Sequence, residues 1–143
     1  MSTPRNAFGF TLIELMITLA ILGVLVSIGV PRYFSMVTKS KEGVTKGNLG
    51  NLRSAISIYY GDNESIFPTD NLACLTIGSK YIPSIPPTTI PPNHDPASNV
   101  YLQTTPTDVG SWSYNNTDTA PRWGILLVGC THSDTRGQIW TAY

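Results

Sequence analysis

One long apolar segment near the N-terminus limits what this chain can fold into. Residues 10–30 read FTLIELMITLAILGVLVSIGV, which is 21 residues with a single charged side chain. A helix of that length spans about 30 Å, the thickness of the hydrocarbon core of a bilayer. The segment is apolar on every side, and the rest of a 143-residue chain is too small to enclose it. It therefore predicts a transmembrane helix rather than a core helix.

The charged residues are few and unevenly distributed. They make up 13% of the chain, about half of the share of roughly 25% in soluble domains. Nine Lys and Arg balance nine Asp and Glu, so no basic excess exists to bind a nucleic acid. Residues 1–60 carry six basic against two acidic side chains, and residues 61–143 carry three against seven. This difference in net charge between the two parts of the chain suits subunits that stack on copies of themselves, or equally a monomer with two differently charged faces.

The residues ahead of the apolar segment distinguish it from an ordinary secretory signal. Such a signal places its small residue after the apolar core, whereas here Gly9 comes before it. Arg5 in the polar leader favours a cytoplasmic N-terminus by the positive-inside rule. Arg32, Lys39 and Lys41 flank the other end and favour the opposite orientation, so charge alone leaves the topology open.

Glu14 is the only charge inside the apolar segment. A carboxylate at membrane depth costs several kcal/mol and needs a partner or a function. One interpretation is that Glu14 lies at headgroup depth and is solvated. The other is that cleavage after Gly9 creates an α-amine on Phe10, and that the amine of one copy pairs with Glu14 of another.

The residues from Gly9 onward resemble a known processing signal. Gly9 followed by FTLIEL and an apolar stretch that ends in Gly-Val-Pro is similar to the N-terminus of type IV prepilins and of the related secretion pseudopilins. The resemblance covers residues 5–60. It implies that a membrane prepilin peptidase and methyltransferase cuts between Gly9 and Phe10 and methylates Phe10. It also implies that Glu14 neutralises the N-terminus of a neighbouring subunit, and that Thr11 occupies a position that often carries a hydroxyl.

The same resemblance implies where the protein is located, how it assembles and what kind of function it has. The precursor would sit in the lipid bilayer of the inner membrane and polymerise, through an inner-membrane assembly platform, into a homo-oligomeric extracellular filament. The expected protein is structural, without enzymatic activity, metal or cofactor. One alternative is a pseudopilin of a type II secretion system in the periplasm, although the glycine, tryptophan and tyrosine motifs of the main pseudopilin are not clearly present. Another alternative is a single-pass membrane-anchored binding domain that never polymerises.

Three residues weaken the apolar helix. Gly23 and Gly29 each lower helix propensity by about 1 kcal/mol, and Pro31 removes a backbone donor. This stretch is expected either to kink the helix in the bilayer or to loosen when the helix enters a filament, as the resemblance to pilins implies.

The predicted organisation is a leader (1–9), a transmembrane or filament-core helix (10–31), an amphipathic half of the same helix (32–61) and a small globular domain (62–143). The amphipathic half repeats apolar residues at helical spacing: Val37, Val44, Leu52, Ala55, Ile56 and Tyr59. Its glycines predict a close approach to other elements, and its basic residues predict a solvated face. These are Gly43, Gly47 and Gly50, and Lys39, Lys41, Lys46 and Arg53. The helix should end near Tyr60, where Gly-Asp-Asn follows.

The globular domain is predicted to be a small antiparallel sheet packed on the helix, which makes the fold α+β and type IV pilin-like. Thr69 or Asp70 is placed to cap a short helical element. The proline-rich stretch 83–96 predicts an extended loop. Strands are expected at 110–114 and 123–130, with a third at 138–143.

The cysteines, the histidines and a few neighbouring polar residues are the candidates for a disulfide, a metal site or a catalytic site. Cys74 and Cys130 are the only cysteines, and outside the cytoplasm they would form a disulfide or remain two buried free thiols. His94 and His132 together with these cysteines lack the usual zinc-ligand spacing. His132, Ser133 and Asp134 have the residue types of a hydrolase triad, but they are neighbours in a turn. Asp118 and Asp134 fit turns better than calcium ligands.

Overall fold

A computed structural model describes residues 9–143 of the chain, so residues 1–8 of the predicted leader lie outside the described residues. One α-helix, α1, runs from Leu12 to Asp62 over 51 residues and contains Pro31. The described residues form two compact units, 9–37 and 38–143, and α1 contributes to both.

Within the described residues, the first unit is the apolar part of α1 and the three residues before it. Its large apolar side chains between Phe10 and Val30 are 44–76% exposed. By its length, and by an 18-residue window with a mean hydropathy of 2.4, α1 qualifies as a candidate membrane span. Gly23, Gly29 and Pro31 all lie within continuous helix, and a change of this stretch on assembly stays a prediction.

The second unit combines the rest of α1 with five short strands. The strands are β1 (Thr88–Ile90), β2 (His94–Ala97), β3 (Val100–Leu102), β4 (Ser111–Tyr114) and β5 (Leu126–Gly129). β1 and β2 form an antiparallel two-stranded ribbon, and the other three form a sheet in the order β3–β4–β5. β3 is parallel to β4, whereas β5 is antiparallel to it. The predicted α+β class is confirmed, with a mixed sheet instead of a purely antiparallel one.

The expected strands at 110–114 and 123–130 contain β4 and β5, which pair with Trp112 opposite Val128. The third expected strand, at 138–143, is wrong. Residues Trp140–Ala142 form a 3₁₀ helix, and the third strand is β3. The reason is that Trp140 is buried in the core with only 1% of its surface exposed, so the chain end packs as a turn of helix.

The proline-rich stretch 83–96 is not simply a loop, because it contains β1 and most of β2. The ladder pairs Thr88 with Ala97 and Ile90 with His94, and neither pair includes a proline. A two-stranded ribbon consists of edges alone, where a proline without an N–H is tolerated.

Asp70 caps the short segment that follows the long helix, as one of the two expected residues. Its carboxylate accepts the backbone N–H of Leu72 at 3.0 Å and of Cys74 at 2.8 Å. Leu72 directly precedes the 3₁₀ segment Ala73–Ser79 and Cys74 is its second residue, where free N–H groups need acceptors.

The core of the second unit lies between α1 and the β3–β4–β5 sheet. Its buried apolar residues are Leu49, Leu52, Ala55, Ile56, Leu72, Leu75, Ile90, Trp112, Tyr114, Leu126, Val128, Cys130 and Trp140. The predicted helix face was wrong at Val44, which is half exposed, while Glu42 and Thr45 are buried. Thr45 Oγ1 accepts the N–H of Thr89 and donates to its carbonyl, both at 2.7 Å. The Glu42 carboxylate accepts the N–H of Thr135 at 3.0 Å. Buried polar side chains thus satisfy loop and strand backbone where the pattern predicted apolar contact.

The three glycines in this part of α1 do not lie against another element of the described chain. Gly43, Gly47 and Gly50 are exposed, and no described atom lies within 4 Å of a Cβ built on any of them. No helix-to-sheet approach occurs at these positions within residues 9–143, because the helix packs through its opposite face, and a close approach to the helix of another copy stays a prediction.

The basic residues of α1 do not all form a solvated face. Lys46 Nζ bonds to Asp134 Oδ2 at 2.5 Å and to Tyr143 Oη at 2.6 Å. Arg53 donates to the Leu126 carbonyl from Nε at 3.1 Å and from Nη2 at 2.8 Å. Lys39 and Lys41 are exposed, as expected. Two of the four basic side chains therefore tie the helix to the C-terminal part of the domain.

We expect Asp134→Ala to lower the free energy of unfolding by about 3 kcal/mol, because it leaves the Lys46 ammonium without its anion. The Asp134 side chain is fully buried and also accepts the N–H groups of Arg136 and Gln138. Burial alone would raise the pKa of the Asp134 carboxyl, but the hydrogen bonds from Lys46 and Tyr143 outweigh it and hold that pKa below its usual range. Urea unfolding of the full chain in mild detergent measures the loss.

Asp118→Ala is the matched control, since Asp118 is an exposed turn residue. It should change the free energy of unfolding by less than about 0.5 kcal/mol. An equal loss in the two variants would mean that the bonds of Asp134 do not stabilise the domain.

Candidate functional site

Thr11 and Glu14 form a reciprocal cap at the first turn of α1. The Thr11 N–H donates to Glu14 Oε2 at 2.9 Å, and the Thr11 hydroxyl donates to the same oxygen at 2.7 Å. The Glu14 N–H in turn lies 3.3 Å from Thr11 Oγ1. This is the capping box, in which the side chain of each residue satisfies the backbone donor of the other. The helix therefore begins at Leu12, because Thr11 and Glu14 cap its first turn.

The cap occupies the carboxylate that the sequence singles out. Glu14 is exposed, and its carboxylate bonds recorded among residues 9–143 all come from Thr11. No ion pair of Glu14 occurs within that part of the chain. Residues 9–143 thus satisfy the hydrogen bonds of Glu14 with Thr11 and place no cation in an ion pair with its carboxylate.

Gly9 and Phe10 precede the helix in an exposed stretch without regular structure. A Cβ built on Gly9 would meet no described atom within 4 Å, and the Phe10 side chain is 74% exposed. The described fold gives no steric reason for a glycine at position 9. A requirement for glycine there would come from a molecule that acts on this stretch.

The pairing of Thr11 with Glu14 was missing from the sequence interpretation, which treated Thr11 as a position that often carries a hydroxyl. The signal for it was present, since Thr-Leu-Ile-Glu has the S/T-x-x-E spacing of a capping box.

Cys74 and Cys130 are free thiols in the structure, so the predicted disulfide is not formed. Their surroundings differ: the backbone N–H of Cys74 donates to Asp70, whereas Cys130 Sγ lies 3.5 Å from His132 Nδ1. Burial raises the pKa of each thiol to about 11, so both are protonated at neutral pH.

His132, Ser133 and Asp134 are not arranged as a triad. The imidazole of His132 faces Asp108 at 3.4 Å, whereas Asp134 bonds to Lys46. Neighbouring positions in this turn point in different directions, as the sequence interpretation expected.

One comparison with known proteins falls on the same N-terminal segment. The family model described as "Prokaryotic N-terminal methylation motif" matches residues 4–30. Fimbrial protein EcpC of Eikenella corrodens is 40% identical over 80 residues, which cover 54% of this chain and 52% of EcpC. The type IV major pilin protein PilA of Myxococcus xanthus is 41% identical over 61 residues, covering 43% of this chain and 27% of PilA.

A secretion protein matches as well. The type II secretion system core protein G of Pseudomonas aeruginosa is 39% identical over 59 residues, covering 41% of this chain and 42% of that protein. The chain spans about half, or less, of the length of these curated relatives. No solved structure matches. The methylation motif that surrounds Gly9, Phe10 and Glu14, together with these alignments, makes the chain similar to type IV pilins and to a type II secretion core protein.

Proposed function

We propose that this chain is the precursor of a structural subunit of a type IV pilus-like filament. The apolar part of α1 holds the precursor in the inner membrane. A prepilin peptidase and methyltransferase cuts between Gly9 and Phe10 and methylates the new amine of Phe10. The processed subunit then leaves the bilayer through an inner-membrane assembly platform and becomes part of an extracellular filament of identical chains.

The observation that carries this proposal is the uncovered apolar surface of the first unit. Each of its large side chains between Phe10 and Val30 keeps at least 44% of its surface exposed, so this part of α1 needs a lipid or protein environment. A bundle of identical helices replaces lipid without loss of apolar contact. It also supplies a cation for Glu14, which has no ion pair within residues 9–143, because every added subunit brings one N-terminal amine.

We expect Gly9→Val to block processing, because the peptidase must accommodate the residue before the cut bond and the fold itself does not need glycine there. Intact-mass analysis of membranes and of sheared extracellular material measures this. The wild type should give a chain that begins at N-methylated Phe10 and is abundant in fibres. The variant should give the uncut precursor in membranes and no fibres.

Gly23→Ala is the control, since Gly23 lies in the same helix away from the cut and a Cβ there meets nothing within 4 Å. It should be processed normally. A wild-type chain that keeps Met1 would overturn the prepilin proposal and support a membrane-anchored binding domain.

The pseudopilin function remains the alternative, and the likeness to a type II secretion core protein favours it. A pseudopilin would be processed in the same way but stay in the envelope. The distribution of the processed chain between sheared fibres and the periplasmic side of the membrane therefore separates the two functions.

A further inference from the structure

Four potential metal ligands converge in the globular domain, far along the chain from the assembly segment. They are His94 at the start of β2, Asp108 in the loop before β4, Cys130 directly after β5, and His132. One donor atom from each lies within 4.8 Å of all the others. The sequence interpretation rejected a zinc site here because the spacing is unusual, but the fold brings the four side chains together.

Three of the six separations between ligand atoms are close to those around a single tetrahedral ion, and all six are within 4.8 Å. A zinc ion with Zn–N of about 2.0–2.1 Å and Zn–S of about 2.3 Å holds its ligand atoms about 3.3–3.6 Å apart. Asp108 Oδ1 lies 3.1 Å from His94 Nε2 and 3.4 Å from His132 Nδ1. Cys130 Sγ lies 3.5 Å from His132 Nδ1. The side chains need only small movements to surround an ion.

The chemical types of the four ligand atoms indicate which metal ion would bind. One thiol, two imidazoles and one carboxylate form a mixed sulfur, nitrogen and oxygen set, which suits zinc and related transition metals. Calcium requires six to eight oxygen ligands, and this cluster offers a single carboxylate. Cys130 is fully buried, while the side chains of Asp108 and His132 are 38% and 44% exposed. The cluster therefore has a buried sulfur and an open side through which an ion enters.

The surrounding backbone holds two of the ligands in place. Gly110 has a φ of +67°, and a Cβ built on it would lie 2.5 Å from Cγ of the His94 ring. The absence of a side chain at Gly110 thus makes room for the imidazole of His94. The backbone N–H of Thr131 donates to Asp108 Oδ1 at 3.0 Å, an outer contact of the kind that orients metal-binding carboxylates.

We propose that His94, Asp108, Cys130 and His132 form a structural zinc site that links the β1–β2 ribbon to the β3–β4–β5 sheet. Four protein ligands close the coordination sphere, which is typical of structural rather than catalytic zinc. On binding, the Cys130 thiol loses its proton to solvent and the sulfur bonds to the ion as thiolate. The site stabilises the domain and does not depend on whether the chain forms filaments.

The test uses the full chain in mild detergent, purified without a histidine tag, stripped with a chelator and reloaded with Zn²⁺ or Co²⁺. We expect one zinc ion per chain after removal of free metal, and a higher unfolding temperature with zinc than without. Co²⁺ should give the intense visible bands of a tetrahedral ion and a thiolate charge-transfer band. Excess Ca²⁺ should not displace it.

Cys130→Ser and His132→Ala should weaken zinc binding by about 100-fold or more and remove the thermal shift. Cys74→Ser is the matched control, because it removes the other cysteine outside the cluster, and it should bind zinc like the wild type. The cobalt spectrum of the wild type requires no variant and so stays decisive if a variant misfolds. Substoichiometric zinc, an octahedral cobalt spectrum, or equal binding by Cys130→Ser would overturn the proposal.

Discussion

Glu14→Gln should reduce the yield of sheared filaments more than about tenfold, because in the proposed filament it removes the anion that would pair with the N-terminal amine of a neighbouring subunit. Insertion of the precursor into the membrane should remain normal, since the substitution makes the segment more apolar. Quantitative immunoblots of sheared and membrane fractions measure both quantities in the same cells.

Two substitutions in the cap separate the effect of the Glu14 charge from the effect of capping the helix. Glutamine still accepts the Thr11 N–H in a capping box, so Glu14→Gln keeps the start of the helix and loses only the charge. Thr11→Val does the reverse, because it removes the hydroxyl that bonds to Glu14 and keeps the carboxylate. We expect Thr11→Val to assemble better than Glu14→Gln. Glu64→Gln, at an exposed site in the globular domain, is the neutral control.

Normal filaments from Glu14→Gln would contradict the charge-pairing role. Equal failure of Glu14→Gln and Thr11→Val would instead indicate that the capped helix start matters more than the charge.

The elements that the sequence predicts well are those determined by neighbouring residues. The apolar span can be read from the sequence because its 21 consecutive residues carry a single charge. The capping box of Thr11 and Glu14 is equally local, although the sequence analysis missed it. β4 and β5 are likewise two β-rich runs on either side of one turn. Each of these depends on local chemistry that a linear pattern contains.

The failures come from contacts between distant residues. Lys46 and Asp134 are 88 positions apart, so a basic residue on a helix face looked solvated until the fold placed an acid against it. The sheet gained a parallel strand, β3, that no hairpin signal indicates. The four potential metal ligands come together because β2 places His94 near Cys130 and His132. The sequence did not predict β2, because this stretch is rich in proline.

The largest stability effect should come from Trp112→Ala, which we expect to lower the free energy of unfolding of the globular domain by about 3–5 kcal/mol. Trp112 lies in the middle of β4 with none of its surface exposed, between partners on β3 and β5. Its indole N–H donates to the Pro86 carbonyl at 2.7 Å. The loss is a large part of a typical domain stability of about 5–15 kcal/mol. Denaturant unfolding of the full chain in mild detergent, followed by circular dichroism, measures it.

Phenylalanine at the same position divides this loss into packing and hydrogen bonding. Trp112→Phe keeps most of the ring contact but leaves the Pro86 carbonyl without its donor, so we expect a loss of about 1–2 kcal/mol. Trp123→Phe is the matched control. Trp123 is only partly buried against Phe67, and its indole N–H has no acceptor within residues 9–143. Removing an unpaired buried donor costs little, so this variant should stay within about 0.5 kcal/mol of the wild type. Similar losses in both phenylalanine variants would mean that ring size, not the bond to Pro86, explains why position 112 needs tryptophan.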